Sequence, residues 1–255
     1  MSSKVFLVMT VYNRETYLAQ AIESVLSQSY SHWQLIIWDD GSTDASPQIA
    51  HQYAEKDSRI HFVAGTHRGN QYSLRSAFKL ANPDHDYLAV IDSDDFVSSE
   101  ILALAVAVLD QHPTVGMLYT NHWIIDEHGK VLGLGVRCEI PYSRNRLLID
   151  FMTFHFRLIR REIYELVGGI DLEFPQGEDY DLCLKISEVT EIYHLQEPLY
   201  YYRIHSNNIS RTRKNNQVAM SAMAVRKALV RRGLSDKYHL VVSEDNRFKI
   251  VCQAE

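Results

Sequence analysis

Cysteines, basic clusters and long apolar runs are all scarce in this sequence, and each scarcity excludes something. The three cysteines, Cys138, Cys183 and Cys252, show no paired metal-ligand spacing. Neither a structural zinc site nor a disulfide framework is therefore expected, and the usage suits a reducing compartment. No window approaches the roughly 18 uninterrupted apolar residues of a spanning helix. The apolar run after Lys4 is too short for a signal peptide. The expected location is cytoplasmic, with peripheral contact at the inner face of a membrane as the one route to a lipid surface. Net charge is −6, and no basic stripe alternates with aromatics, so nucleic acid is not an expected partner. Internal repeats and low-complexity tracts are lacking too.

What is present is enough apolar material for a full core. Hydrophobic residues make up 46% of 255 positions, which suits one large domain or two small ones. The stretch Tyr87 to Phe96 organises the rest. Its first half, Tyr87 to Ile91, is a short apolar run that reads as a buried strand. It ends in Asp92, Asp94 and Asp95, carboxylates close enough to repel one another unless something neutralises them. A divalent cation such as Mg²⁺ or Mn²⁺, bridging to a phosphate, would do so with oxygen ligands. Ligands of open α/β sheets bind beyond the carboxyl ends of strands, where this turn falls. The competing reading is an acidic turn that only leads into the next helix.

Upstream, strands are expected over Val5–Val11, Trp33–Trp38 and Ile60–Val63, alternating with helices whose apolar residues recur at helical spacing. Ser46-Pro47 is a normal helix start, and Gln71–Ala81 is a third helix. This alternation predicts an α/β domain with a mostly parallel sheet and right-handed crossovers. A second acidic turn, Asp39 to Asp44, ends the Trp33 strand. If the two strand ends are neighbours, both turns face one crevice. Beyond a helix over Ser98–Gln111 the rhythm changes. Val115–Ile125 and Val131–Leu134 read as a hairpin, Gly135–Phe156 fits no regular element, and Arg160–Val167 is a short helix stopped by Gly168-Gly169. A third acidic cluster, Glu178, Asp179 and Asp181, opens a helix running to Val189, where the dipole favours carboxylates. A carboxylate at such a place can also serve as a general base. Short strands are expected at Glu191–Leu195 and Leu199–Arg203, with Arg203 and His205 two apart. The last helix, Gln217–Arg232, carries Arg226, Lys227, Arg231 and Arg232 beside an apolar stripe, which suits either a solvated face or an anionic membrane surface. The tail from Ser235 onward shows no pattern.

Taken in order, Thr10-Val11-Tyr12-Asn13, Ser24 to Gln28, Trp38 to Asp44, Ile91 to Asp95, Gly168 to Asp171, Gly177-Glu178-Asp179 and Tyr202 to His205 resemble the motifs of family 2 glycosyltransferases, the inverting group with the GT-A fold. The match runs from about Val5 to Ser210. The resemblance implies a GT-A domain over residues 1–210, with a nucleotide-binding half to about 112 and an acceptor-side half from 113. Residues 211–255 then form a C-terminal helix and tail. By position, Thr10, Tyr12 and Asp40 match nucleotide-binding residues, with the Asp40 carboxylate accepting a base N–H. Arg75 falls where the family often has an arginine near the diphosphate. By the same resemblance Asp92 would sit by the ribose or the metal's waters, Asp94 would be the metal ligand, His205 would lie near the metal or the diphosphate, Asp179 would be the catalytic base, and Glu178 would lie next to it on the acceptor side. The implied cofactor is Mn²⁺ or Mg²⁺. The implied donor is a nucleotide-sugar, best a UDP-sugar, and the acceptor is a saccharide or lipid-linked hydroxyl. The usual alanine-arginine-asparagine run is missing around Arg75, and no QxxRW-like motif is present, which argues against a processive synthase. Two other classes fit parts of the pattern: a sugar nucleotidyltransferase, which would show a glycine-rich basic loop after the first strand, and a silent nucleotide-sugar-binding domain.

Overall fold

In the computed structural model, residues 3–206, 208 and 214–253 are described. The first half keeps the expected alternation: β1 (Val5–Val11), α1 (Leu18–Leu26), β2 (Trp33–Asp39), α2 (Ser46–Lys56), β3 (Ile60–Ala64), α3 (Asn70–Phe78) and β4 (Tyr87–Val90). After the acidic turn come β5 (Phe96–Val97), α4 (Ile101–Gln111) and the hairpin β6 (Val115–Ile125) and β7 (Val131–Leu134). Next are β8 (Arg157–Arg160), α5 (Arg161–Leu166), α6 (Glu178–Val189) and β9 (Glu191–Arg203). The chain ends with α7 (Lys214–Arg231) and the hairpin β10 (Tyr238–Val242) and β11 (Phe248–Cys252).

One sheet runs in the order β3-β2-β1-β4-β8-β6-β9-β5, with β7 on β6. The β3-β2-β1-β4 half is parallel, as the crossovers require. β8 is antiparallel to both β4 and β6, and β9 then runs parallel to β6. The strands are buried on both faces and divide their side chains strictly. Val5, Leu7 and Met9 pack with α1 and α4 on one side. Phe6 and Val8 pack with α3, α6 and α7 on the other. This period-2 division fixes register, because a one-residue slip would reverse both faces.

Because β1, β2 and β4 are adjacent and parallel, their carboxyl ends open on one edge. The turns at Asp39/Asp40 and Asp92/Asp94 therefore share a crevice. Gly135–Phe156 contributes only two single-turn 3-10 helices, at Val136–Glu139 and Arg146–Leu148, before leading into β8. The tail from Ser235, which shows no pattern in the sequence, contains the β10/β11 hairpin. The boundary placed at 210/211 falls within residues 209–213, outside the described ones. No helix among the described residues is long and apolar enough to cross a membrane. Three of the four cations noted on α7 and its end are held within the molecule. Lys227 pairs with Asp171 and Glu173, Arg231 with Glu188, and Arg232 donates to Ser187.

Candidate active site

The acidic turn after β4 is built around Asp95, not around its two more exposed neighbours. Asp95 is 1% exposed. One of its oxygens accepts the Tyr200 hydroxyl at 2.8 Å, and the other accepts the Arg203 backbone N–H at 2.7 Å. Arg203 is itself buried. Its guanidinium donates to the Asp94 carbonyl at 2.7 Å, to Gln20 at 2.6 Å and to the Glu127 carbonyl at 3.1 Å. β9 thus clamps the turn, and Asp92 and Asp94 face the crevice.

Asp94 is held by two cationic or potentially cationic groups. Its Oδ2 accepts Arg14 Nε at 2.9 Å and lies 3.0 Å from His205 Nε2. Burial opposes ionisation, but the His205 hydrogen bond and the Arg14 charge outweigh it and hold this carboxyl below its usual value. Asp92 behaves oppositely. Burial, and then the Asp94 charge, push it up to about 7. Its Oδ2 lies 3.5 Å from His155 Nε2. The His155 ring stacks on Tyr200 with centroids 4.7 Å apart, and burial keeps it neutral.

Asp179 enters the same crevice from the first turn of α6. Gly177, in a left-handed conformation (φ 75°), caps that helix and lets the chain turn sharply into it. One Asp179 oxygen accepts Arg157 Nη1 at 3.1 Å, and the other accepts the Tyr180 backbone N–H at 2.8 Å. His155 lies two residues before Arg157, the first residue of β8. One reaches Asp92 and the other Asp179, so this single segment brings the acidic turn and the α6 acid together.

The residues expected on the nucleotide side converge on the loop between β3 and α3. Asp40 accepts the backbone N–H groups of Arg68 and Gly69, each at 3.0 Å, and the Ser73 hydroxyl at 2.9 Å. His67 Nδ1 lies 2.9 Å from its Oδ2. A carboxylate offers about four lone-pair sites, so the expected base N–H reaches Asp40 only by displacing one of these partners. His67, 56% exposed at its side chain, is the most accessible. Tyr12 stacks on His67 with centroids 4.1 Å apart, forming a flat platform at the crevice mouth. Gly69 at φ 100° supplies the backbone turn that aims its N–H at Asp40.

Two of the expected residues lie apart from the acidic turns' open face. Arg75 points away from the acidic turns. It donates to the Ile170 carbonyl at 3.4 Å and lines a cleft with Arg226 and Lys227. Asn70 and Ser73 lie on the face of α3 toward Thr10 and Asp40, and two further residues rotate Arg75 about 200° around the helix. Glu178, expected on the acceptor side, is buried and turns inward. It accepts Asn70 Nδ2 at 2.7 Å, and Asn70 Oδ1 accepts the Thr10 hydroxyl at 2.7 Å. Burial, and then the Asp179 charge, push Glu178 up to about 7. Arg14, Asn70, His155 and Arg157 form the site together with the acids, and none carries a role in the sequence pattern.

The donor set suits a hard divalent cation. Asp94 and His205 already lie in contact, 3.0 Å from Oδ2 to Nε2, so both could turn to one ion. Asp92, Asp95 and His155 also offer atoms within 4.8 Å of one another. In that group Asp95 is committed to Tyr200 and Arg203, and Asp94 Oδ2 is likewise engaged by Arg14 and His205, so an ion at either place would replace one of these contacts.

Comparison with known proteins bears on this arrangement. Residues 6–168 match the profile described as Glycosyl transferase family 2. The chain is 34% identical over 213 residues to the putative glycosyltransferase EpsE of Bacillus subtilis, covering 82% of this chain and 76% of that protein. It is 27% identical over 223 residues to the chondroitin synthase of Escherichia coli, covering 88% of this chain. It spans only 32% of that synthase, and 22–23% of relatives from Sinorhizobium and Pasteurella. Among solved structures, residues 1–349 of S. aureus TarS in complex with UDP-GlcNAc superpose with a TM-score of 0.71 at 20% identity, covering 91% of this chain and 69% of that one. The mannosyltransferase PcManGT from Pyrobaculum calidifontis, in complex with GDP-Man and Mn²⁺, gives 0.69 at 17% identity, covering 90% and 65%. Those two likenesses establish the GT-A fold, and the profile match with the EpsE likeness establishes the family: this chain belongs to glycosyl transferase family 2.

Proposed function

We propose that the protein moves a sugar from a nucleotide-sugar, best a UDP-sugar, to a hydroxyl acceptor with inversion at the anomeric carbon, in the building of a cell-surface polysaccharide or glycolipid. The observation that carries this reading is the shared crevice, where His155 meets Asp92 and Arg157 meets Asp179. Tyr12, Thr10 and the Asp40 loop receive the nucleoside. Asp92 lies toward the ribose. Asp94 and His205 would hold Mn²⁺ or Mg²⁺, which when bound supplies Lewis-acid stabilisation of the leaving diphosphate. Arg14, tied to the Tyr12 and Asn13 carbonyls, adds a fixed positive charge at that end.

Asp179 acts as the base. Arg157 fixes its carboxylate toward the crevice. The acceptor hydroxyl gives its proton to Asp179 as its oxygen attacks the anomeric carbon from the face opposite the diphosphate. A single displacement of that kind inverts the centre. Base assistance is worth about 10²–10⁴-fold.

Calorimetric titration of UDP and GDP, with and without Mn²⁺, tests the donor half. One nucleotide should bind, require Mn²⁺, and lose that requirement together with its affinity in Asp94→Ala. Asp179→Asn should bind the nucleotide normally and lose transfer by about 10²–10⁴-fold. Transfer at the wild-type rate would remove Asp179 from the mechanism.

A further inference from the structure

Arg137 is a cation without an anion. It sits in the 3-10 turn after β7, partly buried, and among the described residues no carboxylate lies within ion-pairing distance of it. Its one hydrogen bond runs from Nη1 to the Phe151 carbonyl at 3.3 Å. A guanidinium has five N–H donors in a planar fork, and most of these face no protein acceptor. The charge also lies over two aromatic rings, 5.2 Å from the Phe151 centroid and 4.6 Å from Phe154. Burial lowers its proton affinity, and the Asp179 charge only partly restores it. Asp179 cannot neutralise it directly, because that carboxylate is paired with Arg157. A partly buried guanidinium with open donors beside aromatic rings is suited to receive an anion in bidentate fashion.

We propose that Arg137, with Arg157 beside it, receives an anionic group, a carboxylate or a phosphate, borne by the acceptor close to the hydroxyl that Asp179 deprotonates. This deepens the reading of Asp179 given above and rests on it. Position argues for the acceptor over the donor. Arg137 and Arg157 both lie over the Phe151 ring, 5.2 and 5.8 Å from its centroid, and Arg157 pairs with Asp179, whereas Asp94 at the diphosphate end has Arg14. The walls fit the same occupant. Phe154 lies against Tyr202 at 5.2 Å and Phe151 against Tyr180 at 4.6 Å, so a broad aromatic surface flanks the guanidinium fork. A sugar ring carrying a carboxylate or phosphate presents that pairing of a flat, partly apolar body and a bidentate anion. In the acceptor-side half, the hydroxyl must reach Asp179 while its charged neighbour docks on Arg137. That two-point hold is how binding energy fixes a reacting geometry.

The test uses the full chain and three matched probes: methyl β-glucuronide, glucose 6-phosphate and methyl β-glucoside. Each is titrated by NMR into the protein, both alone and saturated with whichever nucleotide binds in the presence of Mn²⁺. At least one anionic probe should bind tenfold or more tightly than the neutral glucoside, and comparing the two distinguishes a carboxylate receptor from a phosphate receptor. Arg137→Gln should erase the preference and leave nucleotide affinity within twofold. Arg137→Lys, which keeps the charge and loses the fork, should retain a reduced preference, and it guards against a glutamine variant that fails to fold. Equal binding of all three probes, no binding of either anion, or a preference that survives Arg137→Gln would overturn the assignment. Weakened nucleotide binding in Arg137→Gln would instead give the residue to the donor diphosphate. Failure of nucleotide binding in the wild type counts against the donor reading, and the titrations without nucleotide still decide this one.

Discussion

At Glu178, burial and the nearby Asp179 charge push the carboxyl up to about 7, against an ordinary value of 4.5. In the unfolded chain it ionises near that ordinary value, so between the two the native state holds the extra proton. The group's contribution to stability is fully present below about 4.5 and is lost as pH rises through about 7. Glu178→Gln keeps an oxygen for Asn70 and removes the titration. Wild type should therefore lose stability between about pH 5 and pH 8 relative to this variant, by up to roughly 3 kcal/mol. Urea unfolding at the two pH values measures it, and parallel behaviour of the two proteins would refute the account. At this scale the sequence reveals acids better than their partners. Asp92, Asp94, Asp179 and His205 stand in motifs, and the structure brings all four to one crevice. Arg14 reaches Asp94 across 80 positions, and Arg157 reaches Asp179 across 22. No local pattern announces such pairs. Arg75 lies on the Ile170 side for a related reason, since a family position names a place in the chain and the helix phase decides which way the side chain points.

Among the elements, β9 connects the sheet to the chemistry. The sequence suggests two short strands, Glu191–Leu195 and Leu199–Arg203, on either side of Pro198, which has no N–H for a ladder. The structure shows one strand, Glu191–Arg203, which passes Pro198 with a register irregularity opposite Asn121. Asn121 Nδ2 donates to the Gln196 carbonyl at 2.6 Å and satisfies a group that the irregularity would strand. The continuous strand then delivers Tyr200 and Arg203 to Asp95. Tyr200→Phe would leave one oxygen of a buried carboxylate without its donor, and the expected loss is about 1–3 kcal/mol in urea unfolding. Because the same hydroxyl accepts the Asp92 N–H at 3.2 Å, nucleotide affinity should fall with stability. A variant as stable as wild type would show that the Arg203 N–H alone holds the turn. β8 escapes a sequence reading because its four residues begin and end with arginine, and nothing in that pattern marks a strand between two antiparallel neighbours.

For the whole molecule, the parallel half was legible because strand and helix alternate with matched apolar periods, and short right-handed crossovers then allow few topologies. The second half mixes parallel and antiparallel pairing with irregular loops, so its order depends on contacts between distant segments. The C-terminal part shows this most clearly. Its helix α7 looks like an amphipathic appendage in sequence. In the structure Ala222, Ala224, Val225, Ala228 and Leu229 join Phe6, Val8 and Leu74 in one apolar cluster, and Leu240 of β10 belongs to it too. α7 also anchors α6, the helix that presents Asp179, through Arg231 and Glu188 at 2.7 Å. Shortening the chain to residues 1–213 would expose this face of the sheet and the outer side of α6. Burying a large apolar side chain is worth about 1.5–3 kcal/mol, so losing several should exceed the few kcal/mol by which a domain of this kind is stable. The shortened chain should therefore be insoluble or melt at least about 10 °C lower, even though every residue of the crevice is retained. Thermal unfolding followed by circular dichroism decides the point. A cooperative transition at the wild-type temperature would show that α7 and the hairpin are an independent unit, and that α6 holds Asp179 in place without them.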